Sequence, residues 1–357
     1  MLQYKPPQCV SFSTCLDMKF LKRMILSIAV LIAAISLITY LFMKQAAFGN
    51  EPGEETKEKL EKSAHYKGGL FQNIEYTQTL REGASYTKMF RDFLTKTASV
   101  KPDKPIAPVV TDVKNLQADL PTLVWFGHSS YLIKSKNFTL LVDPVFSGYA
   151  SPASYLGFGK AFDGANTYGV NDMPEIDLLV ISHDHYDHLD YPTIRDLHPR
   201  VKRFVTPLGV DEHLKYWGVP AEKITTLDWW EQASVDDSVS ITATPARHFS
   251  GRKFAQAKTQ WASFVLKLHG YSIFIGGDSG YDAQFKKIGE LFGPFDLALL
   301  ETGQYGEDWP TIHMMPEETA TAAIDLRAKV LMPVHWGKFV LANHDWREPV
   351  ERLLKSA

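Results

Sequence analysis

Leu178-Leu179-Val180-Ile181-Ser182-His183-Asp184-His185-Tyr186-Asp187-His188-Leu189-Asp190 is an apolar run followed at once by four residues able to bind metal. The run Leu178 to Ile181 is short and ends at a polar residue, which predicts a buried strand. In extended backbone, residues i and i+2 point to the same side, so His183 and His185 present two imidazoles to one ion. Asp187 and His188 follow beyond the turn, placed to hold a second ion beside the first. Imidazole and carboxylate donors suit Zn2+, and other borderline divalent metals can replace it. A lone His at a strand end is usually a packed or surface residue. Four specified residues at H-x-H-x-D-H spacing occur by chance in only about one chain in a thousand.

Working outward, the chain has 357 residues, which suits one large domain plus a membrane or linker segment. Its two cysteines, Cys9 and Cys15, precede everything with folded character, so the domain is expected to hold no disulfide and no thiolate site. The net charge of −3 offers no basic face, which speaks against nucleic acid as a partner. Residues 1–17 lack periodicity and are expected to be disordered. Met18-Lys19-Phe20-Leu21-Lys22-Arg23 reads as the opening of an export signal, with Met18 the expected start. Met24 to Met43 are 20 residues without a charge. At 1.5 Å each they span about 30 Å, the thickness of a bilayer core. Lys19, Lys22 and Arg23 precede this run, while Glu51, Glu54 and Glu55 follow it. That asymmetry puts the N-terminus in the cytoplasm and the rest outside. The small-x-small site Ala47-Phe48-Gly49 is weak, so an uncleaved anchor is favoured over secretion after signal cleavage. The Glu/Lys-rich residues 44–65 read as a solvated linker helix. The expected organisation is a cytoplasmic tail over 1–23, a transmembrane anchor over 24–43, a linker and N-terminal extension over 44–100, and a catalytic domain over 101–357.

Within that domain, strands are predicted at Thr122–Phe126, Tyr131–Ile133, Thr139–Val142, Leu178–Ile181, Arg203–Thr206, Ser240–Thr244, Ser263–Leu268, Ser272–Ile275, Leu297–Leu300 and Val330–Met332. Helices are predicted at Pro192–Leu197, Gly209–Trp217, Ala283–Phe292 and Pro316–Leu326. This mixture implies a layered α/β fold, with sheets inside and helices outside. Further residues of suitable chemistry lie just past predicted strand ends: Asp143, His248, Asp278 and His335. That is where α/β folds place ligands. Two metals need about six protein ligands and a bridge. His183, His185 and His248 can hold one, Asp187, His188 and His335 the other, and Asp278 can bridge them. Asp143 is a candidate to accept the free N–H of a ligand imidazole and fix its tautomer.

The motif set resembles the metallo-β-lactamase superfamily. Within it, Trp125-Phe126-Gly127-His128-Ser129-Ser130, Leu141-Val142-Asp143-Pro144-Val145-Phe146-Ser147, Leu227-Asp228-Trp229-Trp230-Glu231, Pro245-Ala246-Arg247-His248-Phe249-Ser250-Gly251-Arg252, Gly276-Gly277-Asp278-Ser279-Gly280-Tyr281, His313-Met314-x-Pro316-Glu317 and His335-Trp336-Gly337 are similar to the N-acyl-phosphatidylethanolamine phospholipase D branch. The resemblance implies a four-layer αββα sandwich, two Zn2+ ions on the seven ligands above, and a phosphodiester substrate cleaved on the head-group side of phosphate. His313 matches a family histidine near the substrate phosphate and joins Asp278 as a catalytic candidate. His128 is expected to shape the floor of its loop, and His65, His198, His213, His269 and His344 read as ordinary surface or helix residues. Glu301-Thr302-Gly303-Gln304-Tyr305 stands where the branch more often has Pro-Ile-Gly-Ala-Tyr, and is closer to sugar-lactonase relatives. Glu301, Gln304 and His313 are therefore the candidate substrate-binding residues. Relatives in the branch continue past the position of Ala357 through another helix and strand.

The resulting expectation is a phospholipase D-type phosphodiesterase on the outer side of the plasma membrane, acting on N-acyl-phosphatidylethanolamine-like lipids. A lactonase or esterase with the same centre, and a non-catalytic metal-binding envelope protein, are the alternatives. A phospholipid or small ester is the expected substrate, the membrane is engaged through residues 24–43, and a homodimer is left open.

Overall fold

The computed structural model describes residues 18–95 and 99–356. The tail over 1–17, with Cys9 and Cys15, lies outside the described residues. Two compact units divide the chain at Gln45/Ala46. The first contains one helix, α1 (Met18–Met43), whose stretch Phe20–Met43 is long and apolar enough to cross a membrane.

The second unit opens with α2 (Glu54–Leu60), the small hairpin β1 (Tyr66–Lys67) and β2 (Leu70–Phe71), and α3 (Tyr86–Leu94). One sheet follows, made of β3 (Thr122–Trp125), β4 (Tyr131–Ser135), β5 (Phe138–Val142), β6 (Ile176–Val180), β7 (Val201–Pro207) and β8 (Ile224–Leu227), paired in that order. The second sheet has β9 (Gln232–Asp236), β10 (Val239–Thr244), β11 (Ser263–Leu268), β12 (Tyr271–Ile275), β13 (Leu297–Glu301) and β14 (Leu331–Val334), again in sequential order. Each sheet begins with antiparallel pairs and ends with parallel ones. Parallel neighbours need crossovers, and helices supply them. Helices α4 (Tyr191–Leu197) and α5 (Asp211–Tyr216) flank β7; α6 (Gln284–Phe292) and α7 (Pro316–Asp325) flank β13. The last helix is α8 (Glu348–Ser356).

The layers follow from the two-residue period of strands. In β5 and β6, Leu140, Val142, Leu178 and Val180 face the second sheet and meet Phe264, Leu266, Ile273 and Leu299 in one core. The alternate residues Leu141, Leu179 and Ile181 face the other way, onto Ile194, Leu197, Val210 and Leu214 of α4 and α5 and the turn before α5. Phe274, Ala298 and Leu300 on the outer face of the second sheet meet Phe285 and Ile288 of α6 and Ala322 and Ala323 of α7. The chain is an αββα sandwich.

Three features differ from the sequence reading. The edge strands β8 and β9 were not anticipated, because both are short and half polar. Helix α8 adds to the expected helices, packing on α7 through the Arg352–Glu317 ion pair at 2.6 Å. The reading of 44–65 as a solvated linker is corrected. Leu60 is fully buried and joins the core between the sheets, as does Phe71. One leucine in a Glu/Lys run leaves no periodic signal, yet it is part of the core between the sheets.

Candidate metal centre

Every expected metal ligand lies past the end of a strand of the sandwich, and the loops converge. His183 and His185 follow β6, His248 follows β10, Asp278 follows β12 and His335 follows β14. His183 Nε2 lies 2.9 Å from His185 Nδ1, and His248 Nε2 lies 3.3 Å from the same nitrogen. Tetrahedral coordination at about 2.05 Å would set ligand nitrogens about 3.3 Å apart, so these three donors are spaced to share one ion. A second group gathers Asp187, His188 and His335, together with His128. Asp278 Oδ2 stands between the groups, 3.2 Å from His188 Nε2 and 3.8 Å from both His183 Nε2 and His248 Nε2. His335 Nδ1 is 3.1 Å from Asp278 Oδ1.

The residues fit metal ions on a second count. His188 Nε2 and Asp278 Oδ1 are buried without a hydrogen-bond partner. Buried polar atoms left in that state are costly, and cations would satisfy both. Burial holds His183, His248 and His335 well below the usual histidine range, so they are neutral donors at pH 7. His188 goes the other way: burial opposes its cation, but the Asp278, Asp187 and Asp143 carboxylates outweigh burial and raise it. Binding of an ion would displace that proton.

The groups behind the donors are ordered. Asp143 accepts from His188 Nδ1 at 2.8 Å, from Ser182 Oγ at 2.6 Å and from the Ser182 amide at 2.8 Å. His248 Nδ1 donates to the Ile312 carbonyl at 2.9 Å, leaving Nε2 for the cluster. Asp143, His128 and His335 have φ of 41°, 54° and 67°. Left-handed backbone at three non-glycine residues is the kind of strain that concentrates at functional sites.

His313 lines the cavity, with its ring 5.0 Å from that of His248. Its Nδ1 donates to Glu301 Oε2 at 2.8 Å. Glu301, expected on the substrate side, is fully buried; its Oε1 accepts the Ser279 and Met314 amides at 3.0 and 3.2 Å. Gln304 borders the cavity, but its amide group is spent on the Phe339 carbonyl and the Leu341 amide. Its φ of 62° belongs to the turn after β13.

Two histidines do more than the sequence suggested. His128 Nε2 lies 2.8 Å from Asp187 Oδ2, inside the second donor group rather than under a loop. His213 is buried and donates to Asp184 at 3.1 Å. The signal for His128 was its place in the turn after β3; His213 carried none, since its partner is 29 residues away. His65, His198, His269 and His344 are not among the residues lining the cavity.

A family model described as a β-lactamase superfamily domain matches residues 139–336. The chain belongs to the metallo-β-lactamase superfamily. It is 38% identical over 302 residues to an uncharacterized protein of Mycobacterium tuberculosis, covering 83% of this chain and 80% of that one. It is 29% identical over 308 residues to N-acyl-phosphatidylethanolamine-hydrolyzing phospholipase D 1 of Caenorhabditis elegans, covering 80% of this chain and 86% of that one. The solved structure of CmlA, a diiron β-hydroxylase from Streptomyces venezuelae, aligns with a TM-score of 0.51 at 19% identity, covering 68% of this chain and 51% of that one. That likeness is one of fold alone. The chain is a metal-dependent hydrolase of this superfamily.

Proposed function

We propose that the chain is a membrane-anchored dinuclear zinc phosphodiesterase of the phospholipase D type, acting on N-acyl-phosphatidylethanolamine-like lipids. The observation that carries the reading is the cavity of about 420 Å3 over the donor cluster. Its lining combines the donors His185, Asp187, His248, Asp278, His313 and His335 with the apolar Leu80, Met89, Phe249, Trp309, Ile312 and Leu341, and with Thr79, Tyr86, Gln256 and Gln304. None of the lining residues is Lys or Arg. Such a mixed lining suits an amphiphile, with one anionic diester at the donors and an acyl chain against the apolar side chains. A sugar lactone would bury hydroxyls against these apolar side chains at a cost. The residues that favoured a lactone, Glu301 and Gln304, are engaged within the protein. The similarity to the nematode phospholipase D supports the same substrate class.

His183, His185 and His248 would hold one ion and Asp187, His188 and His335 the other, with Asp278 between them. Two such ions supply Lewis acidity at phosphoryl oxygens and lower the pKa of water toward neutrality. Asp143 holds a His188 proton on Nδ1, so that Nε2 is the nitrogen that would give up its proton to an ion. His128 donates to Asp187 and fixes that carboxylate. Burial opposes a charge on His313, but the Glu301 carboxylate beside it prevails and raises its pKa. The cation can then donate from Nε2 to an oxygen on which charge develops. Helix α1 would cross the membrane with the second unit on the outer side, raising the effective concentration of lipid substrate.

The test is turnover by the full chain in detergent, with bound metal measured alongside. Bis-p-nitrophenyl phosphate should be hydrolysed, with activity lost on chelation and restored by Zn2+. His313→Ala should lower turnover about 100-fold with metal content unchanged. Lactones hydrolysed in preference to every diester would overturn the reading.

A further inference from the structure

Residues Ala46–Asn50, the first stretch of the second unit, are bound to the back of the ligand loop through two side chains. The Ala47 carbonyl accepts from Arg252 Nε at 3.0 Å and Nη2 at 2.6 Å. The same guanidinium reaches the ligand loop with Nη1, donating to the Asp184 carbonyl at 2.6 Å and the Leu189 carbonyl at 2.8 Å. Its planar face covers the Tyr186 ring, with Cζ 4.1 Å from the ring centroid. Phe48 packs edge-on against the other partner of this stack, Tyr186, at 6.1 Å.

The second bridge is His213. The Asn50 amide donates to its Nδ1 at 3.1 Å, so its proton sits on Nε2, which donates to Asp184 Oδ2 at 3.1 Å. Asp184 lies between the ligands His183 and His185. Its carboxylate turns to this network and also accepts the Gly251 amide at 2.7 Å and Thr259 Oγ1 at 2.8 Å. Gly49 has φ of +66°, and a Cβ there would lie 2.1 Å from His213 Nδ1. The Ala46 carbonyl adds a bond from Trp217 Nε1 at 2.8 Å.

We infer that Ala46–Asn50 is a strut that positions the ligand loop 183–188, acting through Arg252 and His213. Each of these side chains holds the strut at one end and Asp184 or its neighbours at the other. Without the strut, buried Arg252 donors and His213 Nδ1 lose their partners, and such losses are costly where water is excluded. Asp184 would keep its bonds from Gly251 and Thr259 but lose the fixed positions of Arg252 and His213, which loosens the hold on His183 and His185. Proteolytic processing within Ala47-Phe48-Gly49 would therefore dismantle the metal centre, not merely release the protein from an anchor. The inference rests on the proposed ligand set.

Coupling of this kind is reciprocal: what the strut does for the metal, the metal does for the strut. Hydrogen exchange on the full chain in detergent, with and without Zn2+, reads it directly. Zn2+ should slow amide exchange at residues 46–50 at least tenfold, and more than at the edge strand Gln232–Asp236. Gly49→Ala should weaken Zn2+ binding tenfold or more, in the range seen when groups behind ligands are disturbed. Leu60→Ala, which destabilises the same unit away from the strut, should leave Zn2+ affinity within threefold. Protection of 183–188 by Zn2+ with no change at 46–50 would overturn the strut while leaving the ligand set intact. Equal Zn2+ affinity in Gly49→Ala and the parent would do the same. No Zn2+ uptake by the parent would remove the ligand set and the strut with it. Exchange on the parent decides the matter even if Gly49→Ala does not fold.

Discussion

Replacing Asp143 with Asn removes one charge and exchanges an acceptor for a donor at a fully enclosed point behind the proposed metal centre. Asp143 is 1% exposed, and its two oxygens meet three hydrogen atoms: the Ser182 amide on Oδ1, and Ser182 Oγ and His188 Nδ1 on Oδ2. An asparagine can keep its oxygen toward the Ser182 amide, but its NH2 then faces His188 Nδ1–H. The clash is relieved if His188 moves its proton to Nε2, and that tautomer cannot ligate. Disturbing a partner of this kind weakens metal binding by about 10–100-fold, or about 1.4–2.7 kcal/mol. The fold should survive, because Asn tolerates the left-handed backbone (φ 41°) found here. The assay is competition for Zn2+ against a chelator of known affinity, with circular dichroism confirming the fold. Affinity within twofold of the parent would refute the tautomer argument and the assignment of His188 as a ligand.

Two further outcomes follow from the packing. Leu60→Ala empties a fully buried site in the core between the sheets and should cost about 2–5 kcal/mol in chemical unfolding; a cost under about 0.5 kcal/mol would restore the solvated-linker reading. Lys338 is 1% exposed, with Nζ 2.8 Å from the Val145 carbonyl and 3.2 Å from the Phe126 carbonyl. Burial pushes its pKa down to about 7 from 10.5, with Asp190 working weakly against it. Between those values the unfolded chain holds the extra proton, so stability rises with pH, by up to about 1.4 kcal/mol per unit. Lys338→Met should abolish that rise in urea unfolding at pH 7, 8 and 9, and identical pH profiles would contradict it.

The parts legible in the sequence are those with local signals. Leu178 to Ile181 is continuous and apolar because both faces of β6 are covered, one by the second sheet and one by helices. The convergence of the candidate donors was readable because strand ends and ligand chemistry coincide at 183–188, 248, 278 and 335. Partnerships between distant residues were not. His213 and Arg252 look like ordinary helix and loop residues until the fold brings them to Asp184, 29 and 68 residues away. Glu301 announced its chemistry but not its direction: it is fully buried behind His313 and does not line the cavity. Leu60 was hidden because one apolar residue among charges has no period. The edge strands β8 and β9 were missed for the same reason, being too short and too polar to stand out.

The measurement that tests the central proposal most directly is hydrolysis of N-acyl-phosphatidylethanolamine vesicles by the zinc-loaded full chain in 18O-labelled water, with products read by mass spectrometry. Phosphodiester cleavage on the head-group side puts one 18O on the phosphate of phosphatidic acid and leaves the N-acylethanolamine unlabelled. Label in a released fatty acid, or none in any product while a lactone is turned over, would contradict it.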